Sequence, residues 1–230
     1  FGDGIFGTLN AGNDVTVTTI GTPTVANAIS GGNTSITGTA VTLNNGTIGG
    51  NLTLNATAGD VNSNGAITVG SGIDLDATGN VGFGSLTAQG GTFTADAGGG
   101  INFTAATSTL NIDMNAVGTI NGGNLDAINA LNLSAGNIAI GDASASAINL
   151  TSGQDILFNM LVSPGAVMLG AANGMISANT GTGDISGGNV TLSAQSIDLG
   201  SIGASGNINA SATNGRLAIS NAISTGAISV

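Results

Sequence analysis

The residues of this chain that can do chemistry are a few aspartates on one side of a repeating strand. Asp74 and Asp76 lie two residues apart, so an extended strand places both side chains on one face, ~7 Å apart. Asp96 occupies the position of Asp76 in the next repeat, where parallel stacking puts it ~4.8 Å away. Asn55 and Asn115 extend the row. These oxygens predict a weak Ca²⁺ site or, as a second interpretation, the acid pair of a glycosidase.

The simpler interpretation of this row is a solvent-facing polar ladder. Exposed carboxylates keep a flat sheet soluble and discourage pairing at its edges, and no basic or aromatic sugar-binding residues accompany them. Stacked aspartates are expected to raise each other's pKa unless a cation lies between them. We therefore take Asp74, Asp76 and Asp96 as the candidate site, with Ca²⁺ as the only candidate cofactor.

Composition excludes most other catalytic chemistry. The 230 residues include no Cys, no His and a single basic residue, Arg216. Serine triads, cysteine nucleophiles and the usual zinc sites therefore cannot form. A net charge of −11 disfavours nucleic acid and anionic lipid as partners, and no apolar run reaches the ~18 residues of a membrane span. We expect a non-enzymatic protein that neither binds nucleic acid nor inserts into membranes.

The strands that must position the aspartates come from an internal repeat. A five-residue unit recurs about every 20 residues, with apolar first and third positions, a small fifth position and polar residues between them. Its copies begin at Leu52, Ile73, Phe93, Ile112, Leu131, Ile148, Val167, Val190 and Ile208. This alternation with a period of two predicts a strand with one buried face in every copy.

A second apolar position follows most units by about eight residues, at Val61, Val81, Ile101, Ile120, Ile156 and Ile176. Turn-forming pairs such as Gly90-Gly91 separate the apolar segments. Two or three short strands per repeat predict an all-β, right-handed parallel β-helix (solenoid) with coils of about 20 residues. A hairpin sandwich gives no reason to repeat one register, and a helical solenoid would show a 3.6-residue period and little Gly.

Residues 1–50 fit this pattern less well than residues 51–230. The VTLNN unit at Val41 begins eleven residues before Leu52, so we expect it to lie on another face of an early coil. We predict one continuous domain in which irregular first coils (1–50) lead into regular ones (51–230). We expect this domain to be a fragment of a larger protein.

The rhythm of the coils resembles that of a known family. The segment GGNVTLSAQSIDLGSIGASGNINASATNGRLAIS, from Gly187 to Ser220, is similar to the β-helical repeats of filamentous haemagglutinin-like adhesins, which bacteria export by two-partner secretion. The resemblance covers roughly residues 50–230 and consists of a Gly-Asn-apolar-x-Leu-x-Ala pattern. It implies export to the bacterial cell surface and a role in adhesion, aggregation or matrix building. It supplies no functional residues.

Three functions are open at this point. We expect a structural shaft or fibre segment of a secreted surface adhesin, which associates end to end or with further coils of the same protein and meets a glycan or protein on a host or neighbouring cell. The first alternative is a binding module for a glycan, a cation or ice, although outward positions do not repeat Thr on neighbouring coils. The second is a β-helical polysaccharide-degrading enzyme, which would need basic or aromatic partners across a groove.

Overall fold

The computed structural model describes residues 2–179 and 184–230, which form 25 β-strands and no helix. The first thirteen strands are β1 (Gly4–Ala11), β2 (Val15–Thr18), β3 (Pro23–Ser30), β4 (Thr34–Gly38), β5 (Val41–Ile48), β6 (Leu52–Ala56), β7 (Val61–Val69), β8 (Ile73–Ala77), β9 (Val81–Ala88), β10 (Phe93–Ala97), β11 (Ile101–Ser108), β12 (Ile112–Ala116) and β13 (Thr119–Ala127). The other twelve are β14 (Ala130–Ala135), β15 (Asn137–Ala139), β16 (Asp142–Ser144), β17 (Ala147–Ser152), β18 (Ile156–Phe158), β19 (Met160–Val162), β20 (Val167–Ala178), β21 (Asp184–Gly187), β22 (Val190–Ala204), β23 (Ile208–Ala212), β24 (Leu217–Ser224) and β25 (Ile228–Ser229). Within residues 2–179 and 184–230, no helix has the length and apolarity needed to span a bilayer.

Each coil has three faces. Face A contains the five-residue repeat, as in β6, β8, β10 and β12, which pair in parallel one after another. Faces B and C are the two halves of the longer strand that follows. In β9, Val81 and Phe83 are buried on face B before a bend, and Leu86 and Ala88 are buried on face C after it. The predicted all-β parallel solenoid is confirmed, with about 12 turns of ~19 residues each.

The core consists of side-chain columns that run along the axis of the solenoid. On face A, Leu52, Ile73, Phe93 and Ile112 are stacked in register, and each is at most 1% exposed. Burying one such side chain contributes ~1.5–3 kcal/mol. Because every coil packs against the coils before and after it, stability accumulates coil by coil along the rod.

Three phenylalanines pack together inside the coils that carry the candidate aspartates. The ring centroids of Phe83 and Phe103 are 5.3 Å apart with 13° between the planes, and Phe93 lies 5.3 Å from Phe83 at 51°. Small residues flank this stack, since Ser63 pairs with Phe83 and Gly122 pairs with Phe103. A Cβ at Gly122 would overlap the Phe103 ring, so glycine at this position leaves room for the aromatic ring.

Asn and Asp side chains connect the corners of successive coils. The Asn33 Oδ1 accepts a hydrogen bond from the Asn51 N–H at 2.8 Å, and the Asn51 Oδ1 accepts one from the Gly72 N–H at 3.0 Å. Before face B, the Asn80 N–H donates to the Asp60 Oδ1 at 2.6 Å. These side chains satisfy backbone donors at corners where the strand pairing is interrupted.

Glycine is required where corners of successive coils approach closely. A Cβ at Gly49 would overlap the carbonyl oxygen of Gly31, and one at Gly98 would overlap that of Thr78. Gly170 is different, because it occupies an outward position of face A where an added Cβ meets nothing within 4 Å. The turn glycines are thus fixed by contact with the preceding coil, whereas Gly170 is not.

The first coils stack in the same way as the later ones. Thr34 pairs with Leu52 on face A, and Val41 pairs with Val61 on face B, so the expected placement of Val41 on another face is confirmed. Thr34 is only 1% exposed, and its hydroxyl lies 2.9 Å from the buried hydroxyl of Ser30. The repeat is hard to recognise here because this hydrogen-bonded polar pair replaces the usual apolar side chain.

Candidate functional site

The outer side of face A carries the predicted aspartates. Asp74 and Asp76 flank the buried Leu75 on β8, so both side chains point outward. Asp96 pairs in register with Asp76, and Asn115 pairs with Asp96 in the following coil. The predicted stacking of Asp76 on Asp96 is therefore confirmed.

Asp76 and Asp96 line an open groove along the corner where face A ends. The groove has a volume of 520 Å³. Its floor includes Ala77 and Ala97, from the column of small fifth residues, and Val117, which is 78% exposed, also lines it. Both alanines are buried at the inward fifth position, so the groove runs over the corner of the solenoid above them.

Asp74 lies outside this groove. It lines a second open groove of 400 Å³ together with Thr94, and the Thr94 Oγ1 donates a hydrogen bond to the Asp74 Oδ1 at 3.0 Å. The structure thus brings two of the three predicted site residues together and places the third in a neighbouring groove.

The Asp96 carboxylate of the larger groove has a neutral partner. The Asn115 Nδ2 donates a hydrogen bond to the Asp96 Oδ1 at 2.9 Å. Arg216, the one basic residue of the sequence, lies in a distant coil, where its Nη1 is 3.6 Å from the Asp198 Oδ2. No basic side chain of the chain therefore neutralises the negative charge of the groove.

The pKa of Asp76 is raised above its usual value. Partial burial is the largest cause, since it disfavours the charged form, and the negative charges of Asp74 and Asp96 add to the effect. The stacked Asp96 is thus one of the causes at Asp76, and burial is the larger one. A carboxyl that keeps its proton to a higher pH can donate a hydrogen bond to a neighbouring carboxylate, and when ionised it can contribute to binding a cation.

A cation in the groove would have few charged ligands. Within residues 2–179 and 184–230, no three His, Cys, Asp or Glu side chains are grouped so that they could hold a metal ion. Ca²⁺ takes six to eight oxygen ligands. Beyond Asp76 and Asp96, the oxygens that the groove offers include the amides of Asn55 and Asn115, and water would have to complete the shell. The predicted Ca²⁺ site stays a prediction.

No family model, curated protein or solved structure matches this chain significantly. The resemblance of residues 50–230 to filamentous haemagglutinin-like repeats therefore stays a prediction, supported by the order of apolar, polar and small positions in each coil.

Several aspartates that the sequence reasoning left unassigned have a structural role. Asp14, Asp60 and Asp155 each accept a backbone N–H of the next coil, at donor–acceptor distances of 2.6–2.7 Å. The signal was available in the sequence, because Asn or Asp directly precedes the first residue of many strands, as Asp60 precedes Val61. These carboxylates are engaged in corner stacking, which separates them from the pair in the groove.

Proposed function

We propose that this chain is a structural shaft or fibre segment, a stiff rod in which length and continuity matter more than any single site. The observation that carries the proposal is the unbroken register of face A, whose strands pair residue by residue from β6 through β8 and β10 to β12. Successive coils are joined by the same backbone pairing and the same apolar columns. Coils can therefore be added or removed while the remaining coils keep the same pairing and packing.

The outer surface supports a passive role. Outward positions on face A carry short polar side chains such as Thr53, Asn55 and Ser134, and the grooves between them are open. The sequence has no His or Cys, and it offers Asp76 and Asp96 no basic neighbour. We infer a non-catalytic protein, because an acid pair alone lacks the groups that would bind and orient a polysaccharide.

The setting that we propose is the surface of a bacterium, as part of a secreted adhesin or extracellular filament. The support is the resemblance of the segment from Gly187 to Ser220 to haemagglutinin-like repeats. A chain with one Arg and no Lys also gives trypsin-like proteases almost nothing to cut, which suits an extracellular protein. Its receptor would be a glycan or protein on a host or neighbouring cell.

Removal of whole coils tests the shaft role. The chain is displayed on cells between an outer-membrane anchor and a terminal peptide epitope, and antibody binding to the epitope is measured. Deleting residues 131–147 removes one complete coil, because Leu131 pairs with Ile148. For a shaft, we expect epitope exposure to decline with the number of coils removed, regardless of which coils they are.

Two further deletions serve as controls for this experiment. Deleting residues 131–139 removes the face A and face B strands of one coil. The face C strand of that coil would then follow where a face A strand belongs, so the register of the coils is lost and folding should be abolished. Deleting residues 93–111, one coil that includes Asp96, should behave like the deletion of 131–147, since Phe93 pairs with Ile112. Adhesion of the displaying cells to other cells is measured in parallel. If adhesion were lost in the 93–111 deletion and kept in the 131–147 deletion, the result would contradict the shaft role.

That selective loss would instead support a binding module, the second candidate function. The observation that favours it is the groove that contains Asp76 and Asp96, where one carboxyl has a raised pKa. The ligand would be a cation or a hydroxyl-rich glycan, because the groove offers carboxylate and amide oxygens and no cationic group.

A further inference from the structure

The bend between faces B and C opens into a groove in the middle of the rod. In β9, β11 and β13 a single strand runs through this bend, whereas in the next two coils the strand is divided, first into β15 and β16 and then into β18 and β19. The groove lies where the strand divides, and it has a volume of 360 Å³. Small-molecule sites in proteins occupy ~300–1,000 Å³, so this groove has the size of a ligand site.

Asparagine side chains supply the polar groups of this groove, which we call the amide groove. Asn121 and Asn124 come from β13, Asn159 lies between β18 and β19, and Asn179 directly follows β20. An Asn amide has two N–H donors and an oxygen that accepts hydrogen bonds. None of the described residues that line the groove is charged. The amide groove therefore offers donors and acceptors without a net charge.

One of these amides lacks a hydrogen-bond partner. The Asn159 Oδ1 is shielded from bulk solvent, and no donor among the described residues reaches it. The Asn124 Oδ1 differs, because it accepts the Asp142 N–H at 3.3 Å. A buried acceptor without a donor disfavours the folded state. A ligand hydroxyl that entered the groove and reached the Asn159 Oδ1 would supply the missing hydrogen bond.

Glycine residues make the backbone of the bend accessible to a ligand. Gly122 and Gly123 line the amide groove, and both are partly exposed. A Cβ at Gly123 would overlap the carbonyl oxygen of Thr104 in the preceding coil, so the contact between coils requires glycine at this position. Because neither residue has a side chain, a ligand can approach the main chain closely here.

Aliphatic side chains also line the amide groove. Leu157 is an outward, partly exposed residue of β18, and Ala139, which pairs with it in the preceding coil, lines the groove as well. Ligand sites combine an apolar lining with a few placed polar groups. A sugar ring matches both parts, because its C–H groups can pack on Leu157 while its hydroxyls form hydrogen bonds with the amides.

The charge around the amide groove disfavours an anionic ligand. Asp142 directly follows the lining residue Gly141, and Asp126 lies two residues after the lining residue Asn124. The whole chain has a net charge of −11. Negative charges near a site repel a ligand of the same sign. A neutral glycan fits this environment, whereas a glycan that carries carboxylates does not.

We propose that the amide groove binds a neutral glycan, with Asn121, Asn124 and Asn159 as hydrogen-bonding partners of its hydroxyls and Leu157 as the surface on which a sugar ring packs. The inference goes beyond the shaft role, since a rod can act as a spacer with or without such a site. It places a contact for a neutral receptor on the side of the rod, at a distance from the acidic groove of face A.

Binding of the purified chain to immobilised oligosaccharides tests this inference. The panel contains neutral gluco-, manno-, galacto- and xylo-oligosaccharides, together with uronic-acid oligosaccharides of the same length. We expect binding to at least one neutral oligosaccharide and none to the acidic ones. Because the contacts join uncharged groups, binding should change little between about 50 mM and 500 mM salt. Calorimetry with the free oligosaccharide then gives the Kd for each variant.

Asn159→Ala removes the unpartnered amide and should weaken glycan binding about tenfold. The Oδ1 has no donor to lose, so urea unfolding should show a free energy of unfolding that is unchanged or raised. Asn64→Ala is the matched control. Asn64 follows Val61 by three residues, as Asn159 follows Ile156, so both occupy the same position of the bend in different coils. Asn64 lies outside the amide groove, and its variant should bind like the native chain.

A second pair of variants blocks the groove without removing an amide. Ala139→Phe adds a large side chain at an outward position that lines the groove, and it should weaken binding more than about tenfold by occupying the space of the ligand. Asn62→Phe adds the same ring at the equivalent outward position of an earlier coil, directly after Val61. This control should keep glycan binding.

Four outcomes would overturn the glycan inference. These are binding to none of the neutral oligosaccharides, equal losses in Asn159→Ala and Asn64→Ala, binding that Ala139→Phe leaves unchanged, and binding that disappears at high salt, which would indicate a charged ligand. None of them would contradict the shaft role, which is tested by the exposure of the epitope in the coil deletions.

Discussion

Aspartates at the corners of the coil and aspartates on face A differ in what they contact. At the corners, Asp14 and Asp60 each hold a backbone N–H of the next coil at 2.6–2.7 Å. On face A, Asp76 stacks on Asp96, and its pKa is raised by burial and by neighbouring negative charge. One residue type thus ties coils together in one region and repels its neighbours in another. Position relative to the corner decides between these roles.

The largest expected effect compares two glycines in these regions. Gly98→Ala at a corner should lower the free energy of unfolding by about 1–3 kcal/mol, because its Cβ would overlap the Thr78 carbonyl oxygen. Gly170→Ala on face A should raise it by about 0.5–1 kcal/mol, because a strand glycine is replaced in open space. Urea unfolding measures both variants. Equal effects at the two positions would contradict the distinction between corner and face.

A smaller effect is expected from the corner aspartates. Asp60→Ala should lower the free energy of unfolding by about 1 kcal/mol, because the Asn80 N–H loses its acceptor. Asp60→Asn keeps an Oδ1 acceptor and should cost much less. Asp96→Ala on face A is the matched variant and should lower the free energy of unfolding less than Asp60→Ala, since the Asp96 carboxylate accepts a hydrogen bond from a side-chain amide, that of Asn115, and not from a backbone N–H of the described residues. Thermal and urea unfolding would contradict this order if Asp96→Ala were the more damaging.

The pH dependence of stability should separate Asp76 from the corner aspartates. Its pKa is higher in the folded chain than the usual 3.8, so the folded state binds the proton more tightly. The resulting stabilisation is present below the usual pKa and is lost as pH rises through the raised value. Relative to Asp76→Asn, the native chain should therefore lose stability as the pH rises above 3.8.

Urea unfolding of both proteins between about pH 3 and pH 7 measures this difference. Asp142→Asn, which removes a carboxylate from β16 on another face, is the control for the general loss of one negative charge. A stability difference between the native chain and Asp76→Asn that does not change with pH would contradict the raised pKa of Asp76.

The smallest expected effect is that of Ca²⁺ on the groove. A site with two carboxylates should bind with a Kd no tighter than about 10⁻³ M, so Ca²⁺ at that concentration stabilises the chain by at most about 0.4 kcal/mol. The gain should vanish in the double variant Asp76→Asn, Asp96→Asn and persist in Asp60→Asn. Calorimetry with Ca²⁺ and with Mg²⁺ measures it. An unchanged gain in the double variant would exclude this groove as the site.

Sequence periodicity was enough to predict face A. Leu54 and Leu75 had to be apolar because alternate residues of a strand point into a narrow core, and the stacking of Asp76 on Asp96 follows directly from that register. The first coils were harder to predict. Thr34 satisfies its hydroxyl inside the core through Ser30, and no apolar pattern reveals a buried polar pair of this kind.

The candidate site was predicted only in part, for a similar reason. Asp74 and Asp76 both occupy outward positions of one strand, and the repeat predicts which residue stacks on each of them but not the shape of the surface beside them. Their separation depends on which groove lies beside each outward column: Asp76 lines one groove with Ala77, and Asp74 lines the other with Thr94. The partial burial that raises the pKa of Asp76 has the same origin, since the shape of the surface is a property of several coils together.

The direction of the hydrogen bonds between coils has a mechanical consequence. The Leu52 N–H donates to the Gly72 carbonyl at 3.0 Å across neighbouring coils, so bonds of this kind lie along the length of the rod. A pulling force between the ends would load them one strand at a time and would peel coils from a terminus in sequence. Each event would release about 19 residues, or roughly 65 Å of extended chain. Under tension such a rod would lengthen in equal steps and absorb work before it broke.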